Sequence, residues 1–401
     1  MADNNENKVL NVPHLRFPEF SGEWNKYTIN DLATVVGGGT PDTTVKSYWG
    51  GDIQWFTPSE IGKNKYVDFS KRTITRDGLD NSSAKLLPLH TILLSSRATV
   101  GECSIASNEC TTNQGFQSLI AKQCNIDFLY YLIQTKKKDL IRNACGSTFL
   151  EISANEIRKI KVAVPVQNEQ EQIAKLLSLI DERIATQNKI IYKLKSLIRG
   201  IMVELQKRGL SNGTWKKVLL SNVLTERNEL NKSLYPVYSV SVIQGIVNQM
   251  EYLGRSFAAS DTSKYHVVHY GDLVYTKSPT GSFPYGIIKQ SYNQNEVAVS
   301  PLYGVYEPKT FSTGVFLHEY FKSELNTLNY LHPLVQKGAK NTINIANQRF
   351  LESYVAIPSN ANELLAISKL LCSLNTKLEF LQNILKQSQG QKQYLLRQMF
   401  I

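Results

Sequence analysis

Hydrophobic residues recur with a heptad spacing in two long segments of the chain, and each segment follows a proline. After Pro165 the steps between apolar positions alternate between four and three residues, with one polar interruption at Gln187, and after Pro358 the same spacing returns. The two seams are Ile173, Leu177, Ile180, Ile184, Ile191, Leu194, Ile198, Ile201 and Leu205, and Leu364, Ile367, Leu371, Leu374, Leu378, Leu381 and Leu385. A stripe this narrow, sustained over several heptads without proline, is typical of a coiled-coil helix.

A helix of this length cannot bury its stripe alone, so the two seams predict that the helices pair with each other. The segment between them lets the chain return, which favours antiparallel pairing. The alternative is that each helix caps its own domain, but a helix on a globular core usually shows a wider apolar stripe. At 1.5 Å per residue, a helix of about 40 residues extends about 60 Å, so the pair would act as a spacer.

Short apolar runs rich in β-branched residues, bounded by glycine and proline, occupy the rest of the chain. Strands are predicted at residues 92–94, 118–120, 161–164, 272–275 and 354–357. Helices are predicted from Asp127 and across residues 316–321.

The order of these elements repeats at an offset of about 190 residues. Trp24 opens the first half and Trp215 the second, and each half ends in a strand, a proline and a heptad helix. This repeat predicts an α+β fold with a pseudo-two-fold axis, in which two α/β domains are separated by two long helices that form an antiparallel coiled coil. The predicted segments are a leader (1–15), domain 1 (16–166), a central helix (167–208), domain 2 (209–358) and a C-terminal helix (359–401).

Charge and cysteine content indicate which kinds of partner and metal site the chain can have. The net charge of +11 and a pI near 9.2 favour a polyanionic partner such as nucleic acid, the alternative being an ordinary solvated basic surface. The five cysteines form no CxxC pair, so we expect reduced, mostly buried thiols in a cytoplasmic protein rather than a zinc site. The polar N-terminal residues do not resemble a signal peptide, and no apolar run is long enough to span a membrane.

The sequence lacks the motifs of the common nucleotide- and S-adenosylmethionine-binding enzymes. It has no GxxxxGK[ST] phosphate loop and no glycine-rich strand–turn–helix for S-adenosylmethionine. Residues 37–39 are glycines, but Thr40 and Pro41 follow them, which favours a turn over a nucleotide-binding loop. His266 and His269 have no partners at metal-ligand spacing. We therefore expect a chain without catalytic residues, metal or cofactor of its own.

Loops that combine basic, hydroxyl and aromatic side chains are candidates for contacts with DNA. Arginine and lysine bind phosphates or the edges of guanines. Serine and threonine can accept or donate hydrogen bonds at phosphates and at base edges. The candidates are Lys46, Tyr48, Trp55, Arg72, Arg76, Ser96, Arg97 and Thr99 in the first half, and Tyr238, Lys264, Lys277, Ser278 and Lys340 in the second. Ser96–Arg97 and Lys277–Ser278 rank highest because they follow equivalent strands of the repeat. For any one residue, an ordinary surface role is the alternative.

Several short motifs, in this order and in two copies, resemble one known family. They are residues 15–20 (LRFPEF) with Trp24, residues 38–41 (GGTP), Tyr48-Trp49 with residues 53–55 (IQW), and Val164-Pro165 with Glu169-Gln170, Ile173 and Asp181. The second half repeats the pattern more loosely, with Trp215, residues 271–273 (GDL), Asn344-Ile345 and Ile357-Pro358. On these residues the chain resembles the specificity (S) subunits of type I restriction–modification systems.

The resemblance implies that the two domains are target-recognition domains, each reading one half of a bipartite DNA sequence, with the helices as spacer and docking platform. It also implies two partner methyltransferase subunits that carry S-adenosylmethionine and methylate adenine, and two restriction subunits that use ATP and Mg²⁺. One departure concerns the second helix, which begins Asn362-Glu363-Leu364 without the Glu-Gln pair of the first. Docking at the two helix starts is therefore not expected to be equivalent.

Two rival hypotheses come from other classes of protein. The chain would be a stand-alone DNA methyltransferase or nuclease if the purified chain alone carried out the reaction. It would be a non-enzymatic coiled-coil scaffold if removing Arg97 and Lys277 left DNA binding unchanged.

Overall fold

In a computed structural model of the chain, residues 11–146, 150–337 and 343–401 are described. They form two compact units. Unit 1 takes in the described residues up to Asn188 together with Ile384–Ile401, and unit 2 is Lys189–Asn383. Among the described residues, no helix is both long enough and apolar enough to cross a membrane.

The two heptad segments are long helices, as the spacing predicts. One is Gln167–Ser211, 45 residues long, and the other is Ala361–Gln398, 38 residues long. Each helix contributes residues to both units. The compact units therefore include parts of the helices that the sequence separates from the domains at 166/167 and 358/359.

Residues of the predicted seams lie in the hydrophobic cores of both units. In unit 1, Ile173, Leu177 and Ile180 share a core with Leu395 and Met399. In unit 2, the core residues from the helices are Leu194, Ile198, Met202, Ile367 and Leu371. Early positions of one helix thus meet late positions of the other, so the pairing is antiparallel. Ile184, Leu374, Leu378, Leu381 and Leu385 are half-buried, and Ile191 is buried. At one position the seam differs from the prediction, because Met202 is buried where the heptad count selects Ile201.

Unit 1 is built on a five-stranded and a three-stranded sheet. Its strands are β1 (Asn25–Thr28), β2 (Ala33–Gly37), β3 (Trp49–Phe56), β4 (Tyr66–Val67), β5 (Arg72–Ile74), β6 (Ile92–Leu94), β7 (Cys103–Ala106), β8 (Cys110–Thr112), β9 (Gln117–Ala121) and β10 (Lys161–Val164). Its helices are α1 (Ile29–Leu32), α2 (Arg76–Asp80), α3 (Ile126–Thr135), α4 (Lys137–Arg142), α5 (Ala154–Lys159) and the first part of α6 (Gln167–Ser211). The sheet orders are β2-β9-β6-β7-β4 and β5-β3-β8.

Unit 2 has a four-stranded sheet in the order β12-β19-β16-β17 and several two-stranded pairs. Its strands are β11 (Trp215–Leu219), β12 (Leu224–Glu226), β13 (Tyr238–Ser241), β14 (Gly245–Asn248), β15 (His266–Val268), β16 (Leu273–Tyr275), β17 (Ile288–Gln290), β18 (Val297–Val299), β19 (Gly304–Pro308), β20 (Gln336–Lys337), β21 (Ile343–Asn344) and β22 (Tyr354–Pro358). Its helices are α7 (Gln249–Leu253), α8 (Phe311–Tyr320), α9 (Glu324–Leu331), α10 (Asn347–Phe350) and the first part of α11 (Ala361–Gln398).

In each unit the first strand pairs with the last. The pairing is antiparallel, β1 with β10 and β11 with β22, so that Asn25 lies opposite Val164 and Trp215 opposite Pro358. The last strand then leads through a proline into a long helix. The mixed α/β units, the long helices and the repeat confirm the predicted fold class.

The predicted short elements coincide with observed ones. The strands at 92–94 and 161–164 are β6 and β10, residues 118–120 lie within β9, and the helix from Asp127 is α3. All five cysteines are free thiols. Burial raises the pKa of Cys103, Cys110 and Cys124 to about 12, which keeps these thiols protonated and unreactive.

Candidate nucleic-acid interface

Five of the predicted DNA-contacting residues lie in one layer of unit 1. Trp55 belongs to β3, Arg72 to β5, Lys46 and Tyr48 to a 3₁₀ turn just before β3, and Arg76 to α2. These elements pack against one another because Trp55 is buried among Ile74, Leu79 and Ala84. The Tyr48 carbonyl accepts a hydrogen bond of 3.0 Å from Thr75 N, which connects the turn to the end of β5.

Two tryptophans in edge-to-face contact organise this layer around Arg72. The rings of Trp49 and Trp55 meet edge to face with centroids 5.0 Å apart. The guanidinium carbon of Arg72 lies 3.6 Å from the centre of the Trp49 ring and 5.5 Å from that of Trp55. Trp55 Nε1 donates to Gly39 O at 2.9 Å and Trp49 Nε1 to Asp42 O at 3.1 Å. Because Trp55 is only 5% exposed, its place in the layer is to support Trp49, rather than the direct contact with DNA that the sequence predicts for it.

The layer also contains two other basic residues. Lys46 and Arg76 are exposed, and Arg76 Nε pairs with Asp80 Oδ2 at 3.3 Å across one turn of α2. A surface pair of this kind contributes little to stability, so Arg76 remains available to exchange partners.

A second group of predicted residues forms the turn that follows β6. Arg97 and Thr99 are exposed, with Arg97 Nε 3.8 Å from Glu151 Oε2, and Ala98 between them has a left-handed φ of +63°. Ser96 is fully buried, and its backbone bonds to Gly115 and Ile152. The structure therefore gives Ser96 a role in shaping this turn, whereas the sequence predicts a contact with DNA.

The equivalent turn of unit 2 follows β16 and shares the unusual backbone. Lys277 is half-buried with φ of +60°, and Ser278 is exposed. A Cβ on Gly286 would lie 2.8 Å from Lys277 N, so glycine is needed there for the close approach. Burial lowers the pKa of Lys277. Residues held in such sparsely populated conformations concentrate at functional sites.

Tyr238 lies at the wall of a cavity of about 190 Å³ in unit 2. The cavity is also lined by Gln249, Phe257, Tyr265 and Tyr303, a combination of aromatic and polar groups suited to stacking and hydrogen bonding with bases. Lys264, next to Tyr265, is exposed. The remaining predicted residue, Lys340, lies outside the described residues.

Sequence reasoning missed Arg255, which lies over the ring of Phe257 with its guanidinium carbon 4.4 Å from the ring centre. The loop is anchored by Phe257 N, which donates to Gln249 Oε1 at 2.8 Å. Only the spacing Arg-x-Phe could have pointed to the stack, and that pattern is too short to be selective.

The motif residues near both ends of domain 1 meet at a buried joint. Arg16 donates to both carboxylate oxygens of Glu169, each at 2.7 Å, and Trp24 Nε1 donates to Oε1 at 3.2 Å. Glu169 is fully buried, and the hydrogen bond to Glu169 raises the pKa of Arg16. Gln170 accepts from Asn125 N at 3.0 Å and donates to Pro165 O at 2.9 Å. These motifs therefore fix the start of α6 to the globular part of unit 1.

Histidines that could suggest a metal site have other partners. His269 Nε2 lies 2.7 Å from Glu229 Oε2, and His266 Nδ1 lies 3.0 Å from Tyr303 O. In the part of the chain that the structure describes, no group of three or more histidine, cysteine or acidic side chains is placed to hold a metal ion.

Comparisons with known proteins agree with this organisation. The family described as "Type I restriction modification DNA specificity domain" matches residues 21–196. The chain is 39% identical over 183 residues to the type I restriction enzyme MjaIX specificity subunit of Methanocaldococcus jannaschii, covering 43% of this chain and 42% of that protein. It is 29% identical over 175 residues to the EcoR124I/EcoR124II specificity subunit of Escherichia coli, covering 42% and 43%. The chain thus spans less than half the length of these curated relatives.

A solved structure extends the likeness in fold to nearly the whole chain. It is the type I restriction–modification S subunit from M. genitalium, with a TM-score of 0.60 and 16% identity, covering 97% of this chain and 99% of that one. At this identity the likeness concerns the fold alone.

Proposed function

Because residues 21–196 match the family described as a type I restriction modification DNA specificity domain, we propose that the chain is the sequence-specificity subunit of a type I restriction–modification complex. It binds a bipartite double-stranded DNA sequence, one half through each globular domain. The observation that carries the proposal is the repetition of the specificity-domain design. The family match falls mainly on unit 1, and unit 2 repeats the closing strand pair and the tryptophan-to-helix hydrogen bond.

The DNA contacts would come from the two strained turns and the aromatic–basic layers. Exposed Arg97 and half-buried Lys277 place one positive charge in equivalent turns of the two domains. Because the loops of the two domains differ in sequence, the half-sites they read should differ as well. The net charge of +11 supports an affinity that falls steeply with salt, since each neutralised phosphate releases condensed counterions.

The chemistry would belong to partners. Two methyltransferase subunits would supply S-adenosylmethionine and methylate adenine, and two restriction subunits would supply ATP-driven cleavage with Mg²⁺. The chain itself would be non-catalytic and would position these subunits through the paired helices.

A domain exchange tests this function. Residues 29–160 are replaced by the corresponding segment of another specificity protein, which keeps β1, β10 and the joint of Arg16, Trp24 and Glu169. Methylated sites are then mapped in cells that carry the complete system. We expect one half of the methylated sequence to change and the other half to stay.

The reciprocal exchange within domain 2, between β11 and β22, serves as the control and should change the opposite half. Simultaneous change of both halves would contradict the modular function. Methyl transfer by the purified chain without partners would identify it as an enzyme instead.

A further inference from the structure

Two arginines of the described chain lie over aromatic rings, one in each unit. Arg72 lies over Trp49 in unit 1 and Arg255 over Phe257 in unit 2. Lysines also approach aromatic rings, but Lys65 is paired with Asp127 and Lys392 with Asp181. The arginine stacks are therefore exposed features that the ion pairs of the fold do not account for.

Neither stacked arginine has a carboxylate within 4.0 Å among the described residues. Other arginines do have such partners. Arg16 pairs with Glu169, Arg76 with Asp80, Arg208 with Glu204 and Arg227 with Asp272. An exposed guanidinium that rests on a ring instead of a carboxylate keeps its hydrogen-bond donors unused.

The ring under each guanidinium also restricts where that group can lie. Trp49 is itself held by its bond to Asp42 O and by the edge-to-face contact with buried Trp55, so Arg72 rests on a rigid support. In unit 2, Phe257 is anchored through Gln249. Since a ring lies against one side of each exposed guanidinium, a ligand can reach its donors from the remaining sides. Holding a side chain in place beforehand lowers the entropy that binding would otherwise cost.

We propose that Arg72 and Arg255 are base-reading residues, each donating two parallel hydrogen bonds to O6 and N7 of one guanine in its half-site. This inference rests on the proposed function. A flat, pre-oriented pair of donors matches the two acceptors that guanine presents in the major groove. Phosphate contact is the competing use of the same group, but Lys46 and Lys71, which are exposed, are suited to it.

The test uses the full chain in the complex purified with its partner subunits. Bound sequences are selected from a randomised DNA library for the unaltered chain and for Arg72→Ala, Arg72→Lys and Arg255→Ala. We expect each alanine variant to lower affinity for the preferred site about 10- to 100-fold, in line with the loss of one bidentate contact. Arg72→Ala should relax one G·C position in one half-site, and Arg255→Ala one position in the other.

Arg72→Lys separates base reading from charge. It keeps the positive charge but loses the planar donor pair, so the same position should relax while the salt dependence of binding stays unchanged. Trp49→Phe, which weakens the support and removes the bond to Asp42 O, should reduce discrimination at that position without changing the net charge. Arg142→Ala is the matched control, because Arg142 is an exposed arginine of unit 1 that lies outside this layer and has a carboxylate partner in Asp139; it should leave the selected sequence unchanged.

The outcomes separate the hypotheses. A uniform loss of affinity with an unchanged sequence preference and a salt slope lower by about one would identify a phosphate contact and overturn the proposal. Unchanged binding and preference in both alanine variants would overturn it too. If the unaltered complex selects no sequence at all, the proposed function fails before the variants are compared. The thermal unfolding midpoint of each variant should equal that of the unaltered chain, which shows that the differences arise from recognition and not from stability.

Discussion

The indole Nε1 of Trp215 donates a hydrogen bond of 2.8 Å to Oε1 of Glu363, in the first turn of α11. Trp24 makes the same contact with Glu169 in the first turn of α6. The second joint lacks the arginine of the first, and Leu364 follows Glu363 where Gln170 follows Glu169. The two helix starts thus share a tryptophan–glutamate hydrogen bond and differ in the groups around it. The missing Glu-Gln pair predicts part of this difference, but not the absence of an arginine partner.

The difference predicts unequal stability effects at the two joints. Glu169→Gln leaves the guanidinium of Arg16, 13% exposed, without its anionic partner, and should lower the free energy of unfolding of unit 1 by about 2–4 kcal/mol. Glu363→Gln keeps an acceptor for Trp215 and should cost about 1 kcal/mol or less. Denaturant unfolding with hydrogen exchange resolved by segment measures both effects. Equal losses at the two sites would contradict the assignment of Arg16 as the source of the asymmetry.

A polar contact in the helix pair gives a second prediction. Lys392 Nζ lies 2.7 Å from Asp181 Oδ1, and Tyr131 donates to Asp181 Oδ2 at 2.7 Å. Both charged groups are less than a fifth exposed, so solvent screens the pair only in part. A double-mutant cycle with Lys392→Met and Asp181→Asn should give a coupling free energy of about 1–2 kcal/mol. Urea unfolding measures it, and an additive cycle would show that the pair does not help to hold α11 on unit 1.

The helices and the edges of the domains could be predicted because they depend on local periodicity. Heptad spacing needs only the sequence, and the residues it selects are buried or half-buried, although Met202 is more buried than the selected Ile201. Short strands such as Ile92–Leu94 can also be predicted locally, since a run of three apolar residues between turn residues favours a buried strand.

The candidate site was less predictable because its residues acquire their roles from distant neighbours. The sequence predicts a contact with DNA for Trp55, yet its buried indole donates to the carbonyl of Gly39, sixteen residues away. The stack of Arg255 on Phe257 depends on a loop conformation set by Gln249. No periodicity encodes such contacts, so composition could indicate a nucleic-acid surface but not the side chains that form it.

A buried lysine in unit 2 predicts a dependence of stability on pH. Lys289 is 6% exposed, and burial, followed by the charge of Lys322, lowers its pKa to about 8 from 10.5, against the opposing charge of Glu319. Below pH 8 the amine is charged in both the folded and the unfolded state, so the folded state bears the full cost, about 3 kcal/mol. Between pH 8 and 10.5 the unfolded state binds more protons, so stability rises with pH through this window.

Lys289→Met should therefore stabilise unit 2 at pH 7 by about 1–3 kcal/mol and remove the rise between pH 8 and 10.5. Lys322→Met is the control, since Lys322 pairs with buried Glu319 and its loss should destabilise. Unfolding free energies measured from pH 7 to pH 10.5 test both. A Lys289→Met chain that is less stable at pH 7 would contradict the prediction.

The strained turns allow DNA binding to be separated from stability. Lys277 holds a left-handed φ of +60°, a conformation that costs a residue with a side chain about 1 kcal/mol relative to glycine. Lys277→Gly should therefore remove the positive charge while leaving the chain as stable as before or slightly more so. Combined with Arg97→Ala, it should weaken DNA binding at least about tenfold, and the slope of log affinity against log salt should fall by about two if each side chain contacts one phosphate. Binding titrations between about 50 and 200 mM salt, together with thermal unfolding, measure the two properties independently. Lower stability accompanied by unchanged binding would mean that the turns shape the domains, and that the proposed DNA contacts lie elsewhere in the loops.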